Sequence, residues 1–290
     1  MPFRKAFVSF VMLFVFLAAI PRQAHAQGTY TQIDVPGALF TQCFGVNTKG
    51  DLVGLYEDAS GVDHGFLLSG GVYTDIDDPG WSLTFPIGIN DEGQIVGYVS
   101  DYPALSGFLY DAQTRTFTEL NYPGATATVP NGINNAGIIV GYYDVGEPVM
   151  NGFELSSSGY TDISPSGRAL TQAFGITSSD AVVGVAVNPG ADNFGTFNNF
   201  AFYDGKFELL NLPSGYSLTA VNPQGTILVG IFLTIPVDLG WVYRNGKSQT
   251  LSFPGAKETL PYGINRHEEI VGWFEDASGN GHGFTLAPSH

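Results

Sequence analysis

Cysteine is nearly absent from this sequence, because Cys43 is the only one among 290 residues. No disulfide can therefore form within the chain, and a packed hydrophobic core must supply its stability. Cys43 lies next to Phe44 in an apolar stretch. We expect it to be a small buried core residue and not a nucleophile.

Positive charge is also scarce, with 11 Lys and Arg against 27 Asp and Glu and a net charge of −16. Such a field repels nucleic acid and anionic lipid, which excludes both as expected partners. The five histidines include no His-x-x-x-His pair. No nucleophile elbow or phosphate loop can be recognised either. We therefore expect no metal site and assign no catalytic residue.

Long apolar runs are missing after the N-terminus. Residues 1–26 have a basic start, an apolar run over 6–20 and the sequence Ala24-His25-Ala26. This pattern predicts a secretory signal peptide cleaved after Ala26, with a run shorter than the roughly 20 residues that span a bilayer. We predict a secreted or periplasmic protein without membrane insertion.

What the sequence contains in abundance is one repeated phrase, G-I-N-x-x-G-x-I-V-G. Its closing Val-Gly pairs start at 53, 96, 140, 183, 229 and 271, which defines repeats one to six with a period of 42 to 46 residues. Repeats of this length should be considered before any local structure. They predict that residues 27–290 form a single domain of six repeats of about 44 residues.

Each repeat contains four short apolar runs bounded by Gly, Pro, Asn or Asp, which is typical of strands joined by tight turns. In repeat two the predicted strands A, B, C and D cover 84–89, 94–99, 107–111 and 116–120. Four strands per repeat predict an all-β, six-bladed β-propeller with four-stranded antiparallel blades. A D-type strand at 30–34 is expected to complete the last blade and so protect its edge. A β-solenoid is the alternative.

The units G-I-N-x-x-G-x-I-V-G-x-x-x-D, H-G-F-L and Y-T-x-I-D-x-P-G-A together resemble the bacterial extracellular HAF repeat family. The resemblance covers all of 27–290, although Thr177 replaces the usual Asn in repeat four and Leu239-Gly240-Trp241 replaces His-Gly-Phe in repeat five. The family is defined by its repeats and export and not by a reaction. The resemblance therefore implies a compartment and a repeat architecture only.

The recurring Asn at the start of five of the six A–B turns could form a polar ring around a central channel or could cap its own turn. We favour the turn, because Asn bonds readily to backbone two residues further along. The phrase EDASG occurs in the B–C loops of repeats one and six, followed in each by a histidine. We expect His64 and His282 to pack or hydrogen-bond at the start of strand C. A calcium site at Asp58-x-Ser60-Gly61-x-Asp63 matches the calcium-loop pattern poorly, so no cofactor is expected.

Strand parity places the tight A–B and C–D turns on one face and the longer B–C loops and D–A crossings on the other. Variable loops carry function more often than tight turns, so we predict that a ligand binds the second face. Its candidate residues are acidic, aromatic or basic: Glu57, Asp58, Asp63, His64, Trp81, Tyr122, Arg168, Phe194, Phe197, Glu275, Asp276 and His282.

The leading hypothesis is a monomeric binding module that uses this acidic face against a glycan, peptide or protein. Phe194 and Phe197 lie in the long B–C loop of repeat four, where aromatic and amide groups suit a sugar or peptide. The alternatives are a propeller enzyme such as a lyase or glycosidase, for which the sequence gives weaker support, and a structural envelope protein.

Overall fold

The structure is a computed structural model that describes residues 28–101, 103–146, 150–168, 170–188, 198–213, 215–232 and 238–289. The predicted signal peptide lies outside the described residues. The described part of the chain contains strands and turns and no helix. Its strands are β1 (Gly28–Ile33), β2 (Phe40–Val46), β3 (Leu52–Glu57), β4 (Asp63–Ser69), β5 (Val72–Asp75), β6 (Leu83–Ile89), β7 (Gln94–Asp101), β8 (Ala104–Asp111), β9 (Thr116–Leu120), β10 (Ala127–Ile133), β11 (Ile139–Asp144), β12 (Met150–Ser156), β13 (Gly159–Asp162), β14 (Leu170–Ile176), β15 (Val182–Val187), β16 (Asn198–Tyr203), β17 (Lys206–Leu209), β18 (Tyr216–Val221), β19 (Ile227–Phe232), β20 (Leu239–Arg244), β21 (Lys247–Leu251), β22 (Glu258–Ile264), β23 (Ile270–Glu275) and β24 (Gly281–Pro288).

The strands pair as antiparallel groups of four, which confirms the predicted blade architecture. Strands β2 to β5 and β6 to β9 form two separate sheets of four. The remaining strands form two sheets of eight, each of which joins two groups of four through one parallel residue pair, Met150 with Leu170 and Leu239 with Thr259. In repeat two the predicted strands agree with β6 to β9 within three residues at every boundary.

Strand β1 completes the last group of four, as the sequence predicted. It pairs antiparallel with β24 over six residue pairs, from Gly28 with Pro288 to Ile33 with Gly283. The Tyr30 ring packs on Phe253 and Phe284 at centroid distances of 5.4 and 5.8 Å. Two segments at opposite ends of the described chain are thus joined within one sheet.

The predicted turn chemistry is present. Asp204 and Gly205 both have positive φ, at 50° and 70°, which is the geometry of the tight turns that join twisted antiparallel strands. At the strand D exits, Gly37 has a φ of 84° and follows Pro36, and the Ala38 N–H donates to the Val35 carbonyl at 3.0 Å. These turns keep the connections short and hold neighbouring strands antiparallel.

The core lies between adjacent sheets. Each strand C contributes one fully buried ring at the same repeat position, namely Phe66, Phe108, Phe153, Phe200, Trp241 and Phe284. Cys43 is fully buried in a cluster with Phe66 and with Val271 of repeat six. Burial raises the pKa of its thiol far above the ordinary value, which agrees with the predicted structural role.

Candidate functional site

Every strand A contains a β-bulge at the same point, one residue before the position that is glycine in five of the six repeats. The register between strands A and B shifts there, so one residue per repeat has no partner across the ladder. These bulged residues all line one central cavity: Phe44, Ile87, Asn131, Phe174, Thr219 and Tyr262. The bulge therefore determines which side chain faces the cavity.

The residue after the bulge is glycine in five repeats, and in repeats one and six the neighbouring backbone leaves no room for a side chain. A Cβ on Gly45 would lie 2.6 Å from the Ile87 carbonyl oxygen of the next repeat. A Cβ on Gly263 would lie 2.5 Å from the Phe44 carbonyl oxygen, across the contact between repeats six and one. Strands A thus approach each other backbone to backbone around the cavity.

The recurring Asn serves both functions that the sequence allowed. The Asn47 Oδ1 accepts hydrogen bonds from the N–H groups of Lys49 and Asp51 at 3.0 and 2.9 Å, which caps its own turn. Its Nδ2 donates to the Asn90 carbonyl of the next repeat at 3.2 Å. Asn90, Asn134 and Asn265 repeat this pattern, and the last reaches back to the Asn47 carbonyl at 2.9 Å.

Repeats four and five use different links. The Thr177 hydroxyl accepts from the Ala181 N–H at 3.0 Å and keeps the turn, but it has no amide to reach repeat five. The Ser178 N–H donates to the Pro223 carbonyl at 2.8 Å in its place. The Gln224 side chain then donates to the Arg266 carbonyl at 3.0 Å. Side-chain and backbone donors together connect each repeat to its neighbour around the cavity.

The cavity has a volume of about 340 Å³ and extends from the bulged residues to the A–B turns. Its wall is mainly aromatic and aliphatic, and Phe44 contacts Tyr262 at a ring-centroid distance of 5.5 Å. Burial raises the pKa of Tyr262 to about 12, so the phenol is neutral at physiological pH. The residues after the turn Asn form the outer end: Thr48, Asp91, Asn135, Ser178, Pro223 and Arg266.

Two charged residues lie in this lining, Asp91 and Arg266. The Asp91 carboxylate accepts from the Thr48 N–H and from the Asn135 amide, each at 2.7 Å. Burial alone would raise the pKa of Asp91, but these hydrogen bonds outweigh it and lower the pKa. Within the described part of the chain, the Arg266 guanidinium has neither an ion pair nor a side-chain hydrogen bond.

The residues predicted from the sequence lie at the opposite end of the strands, in the B–C loops and D–A crossings. Phe194 and Phe197 lie outside the described residues. Trp81 packs against the core cluster of repeat two, and Tyr122 stacks on Tyr143 at 3.6 Å, so both rings have packing roles. Arg168 donates to the Asn188 side chain.

The structure brings the two EDASG loops into equivalent clusters. The His64 Nδ1 lies 2.8 Å from Asp77, its Nε2 lies 3.6 Å from Asp58, and its ring stacks on Tyr56 at 5.1 Å. In repeat six the His282 Nδ1 lies 2.9 Å from Asp34, its Nε2 lies 3.6 Å from Asp276, and its ring stacks on Phe274. Each histidine thus connects a B–C loop to the end of a strand D.

The EDASG acids also shape their own loops. The Asp58 Oδ1 accepts from the N–H groups of Ser60 and Val62, and Asp276 accepts from those of Ser278 and Asn280. These hydrogen bonds lower the pKa of Asp58 to about 2. The EDASG motif thus stabilises its own loop in both repeats. Among the described residues, no group of three or more His, Cys, Asp or Glu is arranged to hold a metal ion.

The other acids on this face differ in whether a basic side chain lies beside them. Glu275 pairs with Lys257 at 2.9 Å, and Glu57 and Asp63 face each other across the strand B to strand C ladder. Asp34 and Asp77, which complete the histidine clusters, are not among the residues predicted from the sequence. Both follow Ile at the end of a strand D, and this repeated Ile-Asp pair was the available signal.

The His64 cluster predicts a pH-dependent contribution to stability. Hydrogen bonding to Asp77, opposed by partial desolvation, raises the pKa of His64 above its ordinary value of roughly 6.5. Its stabilisation is therefore complete below about pH 6.5 and is lost as the pH rises through the folded-state pKa. We expect His64→Asn to lower the free energy of unfolding by roughly 0.5–1 kcal/mol more at pH 5.5 than at pH 8.5, because the pair is partly exposed.

Urea denaturation at the two pH values measures this difference. His267→Asn is the matched control, since His267 is exposed and has no ion pair among the described residues. An effect of His64→Asn that does not change with pH would show that the ring contributes by packing alone.

Comparison with known proteins identifies the fold. The sequence matches no family model and no curated protein. Its structure is similar to TolB from Acinetobacter baumannii, with 11% identity and a TM-score of 0.57 over 88% of this chain and 66% of that one. A putative TolB from Agrobacterium tumefaciens has 12% identity and a TM-score of 0.56 over 87% of this chain and 91% of that one.

A mutant Aleuria aurantia lectin in complex with Fucalpha1-6GlcNAc is also similar, with 11% identity and a TM-score of 0.53 over 87% of this chain and 97% of that one. The chain thus spans just under two thirds of the Acinetobacter TolB chain and nearly all of the lectin. At these identities the similarity establishes the fold alone, which is that of a β-propeller repeat protein. No helix among the described residues is long and apolar enough to cross a membrane.

Proposed function

We propose that this protein is an exported six-bladed β-propeller that binds a small ligand in its central cavity. The observation that carries the proposal is the cavity of about 340 Å³, lined by side chains from all six repeats. Small-molecule sites in proteins are usually concave, mostly apolar and roughly 300–1,000 Å³ in volume. The cavity lies at the A–B turn end, opposite the face that the sequence favoured.

The count of six follows if each eight-stranded sheet is taken as two blades. One parallel residue pair joins the two halves of each such sheet, whereas four to six pairs join neighbouring strands within a half. Contacts between Gly263 and Phe44, and between Asn265 and Asn47, support closure of the ring. Membership of the HAF-type repeat family, export after cleavage at Ala26 and a monomeric state remain parts of this proposal that rest on the sequence.

Binding is better supported than catalysis. Glycoside hydrolysis uses two carboxyl groups on either side of the scissile bond, one of them with a raised pKa. The cavity lining contains one carboxylate, Asp91, and hydrogen bonds lower its pKa. The site therefore offers a shaped apolar wall without an acid and base pair, and the proposal needs no cofactor.

The acidic loop face remains a second candidate surface, for a protein or glycan partner. Leu39 and Val62 are 59% and 44% exposed there, and the Leu39 N–H donates to the Glu57 carbonyl. Exposed apolar side chains beside acids suit a macromolecular partner with apolar and basic groups. A ligand that binds equally well after the central cavity has been filled would move the site to this face.

Filling the cavity tests the proposal. We expect Ile87→Trp to abolish the binding of any ligand found in a thermal-shift panel of organic acids, alcohols, amines and saccharides, because Ile87 is a bulged residue whose side chain enters the cavity. A ligand at 100 times its Kd adds about 2.7 kcal/mol, which shifts Tm by roughly 5–10 °C in a domain of this size.

Leu209→Trp is the matched control, since Leu209 is 52% exposed on the outer strand β17. Both variants should keep the wild-type Tm without ligand to within a few degrees, because neither enlarges a packed core residue. A ligand-induced shift in Tm that is as large in Ile87→Trp as in the wild type would mean that the binding site lies outside the cavity.

A further inference from the structure

We infer that the central cavity binds a small organic anion, with an apolar body against the wall and a carboxylate paired with Arg266. The inference rests on the proposed function and names the chemistry of its ligand. It follows from three features: the Asn amide nitrogens of the wall donate hydrogen bonds within the protein, four of the six bulged residues are aromatic or aliphatic, and one cation without an ion pair among the described residues lies at the outer end.

The Asn side chains of the wall leave little hydrogen-bonding capacity for a ligand. In Asn47 and Asn90 the amide oxygen accepts from two N–H groups of the turn, and the amide nitrogen donates both to the turn and to the next repeat. The Asn131 amide donates to the Ala173 carbonyl at 2.8 Å, and the Thr219 hydroxyl donates to the Pro261 carbonyl at 2.9 Å. A sugar, whose hydroxyls each require partners when buried, is therefore poorly matched to this wall.

The inner wall suits an apolar body. Phe44, Phe174 and Tyr262 present rings from three different repeats, and Ile87 adds an aliphatic side chain at the same bulged position. Rings and branched aliphatic side chains provide contact area without demanding polar partners. A phenyl or branched aliphatic group is the complementary body.

Arg266 provides the charge. The acids near it in sequence have other partners: Glu268 pairs with Arg244 at 2.6 Å, and Glu269 accepts from the Asn265 amide at 3.2 Å. Among the described residues, Arg244 and Lys257 are the Lys and Arg side chains with an ion pair, and Arg266 is one of those without. A guanidinium recognises a carboxylate through two parallel hydrogen bonds, which gives orientation as well as affinity.

A cationic ligand fits less well. Asp91 is the lining carboxylate, and it already accepts from Thr48 and Asn135. A bound cation would also share the outer end with the Arg266 charge. The net negative charge of the chain is expected to slow the approach of an anion, but salt screens that repulsion beyond about 8 Å and leaves the close pair intact.

Calorimetric titration of the exported protein with three probes of one shape tests the inference. These are 3-phenylpropionate, the neutral 3-phenylpropanol and the cationic 3-phenylpropylamine. We expect one molecule of the acid to bind per chain, at least about tenfold more tightly than the alcohol, because a charged hydrogen-bonded pair favours the acid. The amine should have the lowest affinity.

Arg266→Gln should lower the affinity for the acid to that for the alcohol and leave the affinity for the alcohol unchanged. Arg266→Lys should restore part of the difference between the two affinities. Lys206→Gln removes the same charge from the outer strand β17 and should leave all three affinities within about twofold, because that charge is exposed and screened.

Equal affinities of the acid and the alcohol, or an acid affinity unchanged by Arg266→Gln, would overturn the inference. Failure of all three probes to bind would overturn it as well. The proposed function is separately judged by Ile87→Trp: any ligand that this variant excludes keeps the cavity as the binding site even when the anionic chemistry is wrong.

Discussion

Replacing Gly97 with alanine is expected to cost about 3–5 kcal/mol of folding free energy and to lower Tm by roughly 10 °C or more. Gly97 belongs to the Val-Gly pair of strand B in repeat two. A Cβ on this residue would lie 1.9 Å from the Phe85 carbonyl oxygen and 3.1 Å from the Phe108 ring. Backbone cannot move away as a side chain can, so strands A and B would have to separate.

The same close approach explains why the motif ends in glycine in every repeat. Each Val-Gly glycine would place its Cβ 1.9–2.2 Å from a strand A carbonyl oxygen, and this holds for Gly54, Gly97, Gly141, Gly184, Gly230 and Gly272. A glycine inside a strand marks either a bulge or a close approach of neighbouring backbone. The structure separates the two, because the bulge lies on strand A and the close approach lies on strand B.

Gly124→Ala is the control for backbone strain. Gly124 has a φ of 80°, and a Cβ on this residue would have no neighbouring atom within 4 Å, so its replacement costs only the strain of about 1–2 kcal/mol. Thermal and urea denaturation of both variants gives the comparison. A larger loss for Gly124→Ala than for Gly97→Ala would show that positive φ, and not contact with strand A, determines where this chain requires glycine.

Much of the fold could be predicted because its information is local. Tight turns such as Asp204-Gly205 have a fixed chemistry, and strand lengths follow from the apolar runs between them. The closing role of β1 followed from its Y-T-x-I-D pattern, which matches the strand D of other repeats. Repetition made each local signal visible several times.

The lining of the cavity could not be predicted, because the residue types at the lining positions differ from repeat to repeat. The bulged position holds Phe44, Asn131 and Thr219 in different repeats, so no motif marks it. Arg266 occupies a turn position that carries Thr48 and Asp91 elsewhere. The bulge brings the side chains at this position together in the cavity, and the bulge is visible only in the pairing of strands A and B.

Deleting β1 is expected to have the second large effect, a loss of several kcal/mol together with self-association. The deletion removes the six residue pairs with β24 and the contacts of the Tyr30 ring with Phe253 and Phe284. It also removes the hydrogen bond from the Ser252 N–H to the Tyr30 hydroxyl at 3.1 Å. The exposed edge of β24 would then be free to pair with another chain.

Light scattering and thermal denaturation of the chain without residues 28–33 measure both effects. Tyr30→Ala separates packing from edge exposure: it should cost about 2–3 kcal/mol and leave the oligomeric state of the protein unchanged, because the ladder remains and the ring is only partly buried. Thr31→Ala, at an exposed position of the same strand, should change the free energy of unfolding by less than about 0.5 kcal/mol. A deleted chain that keeps the oligomeric state and the unfolding temperature of the wild type would mean that β1 does not close the ring. Closure would then depend on the innermost strands alone, where Gly263 meets Phe44 and Asn265 donates to Asn47.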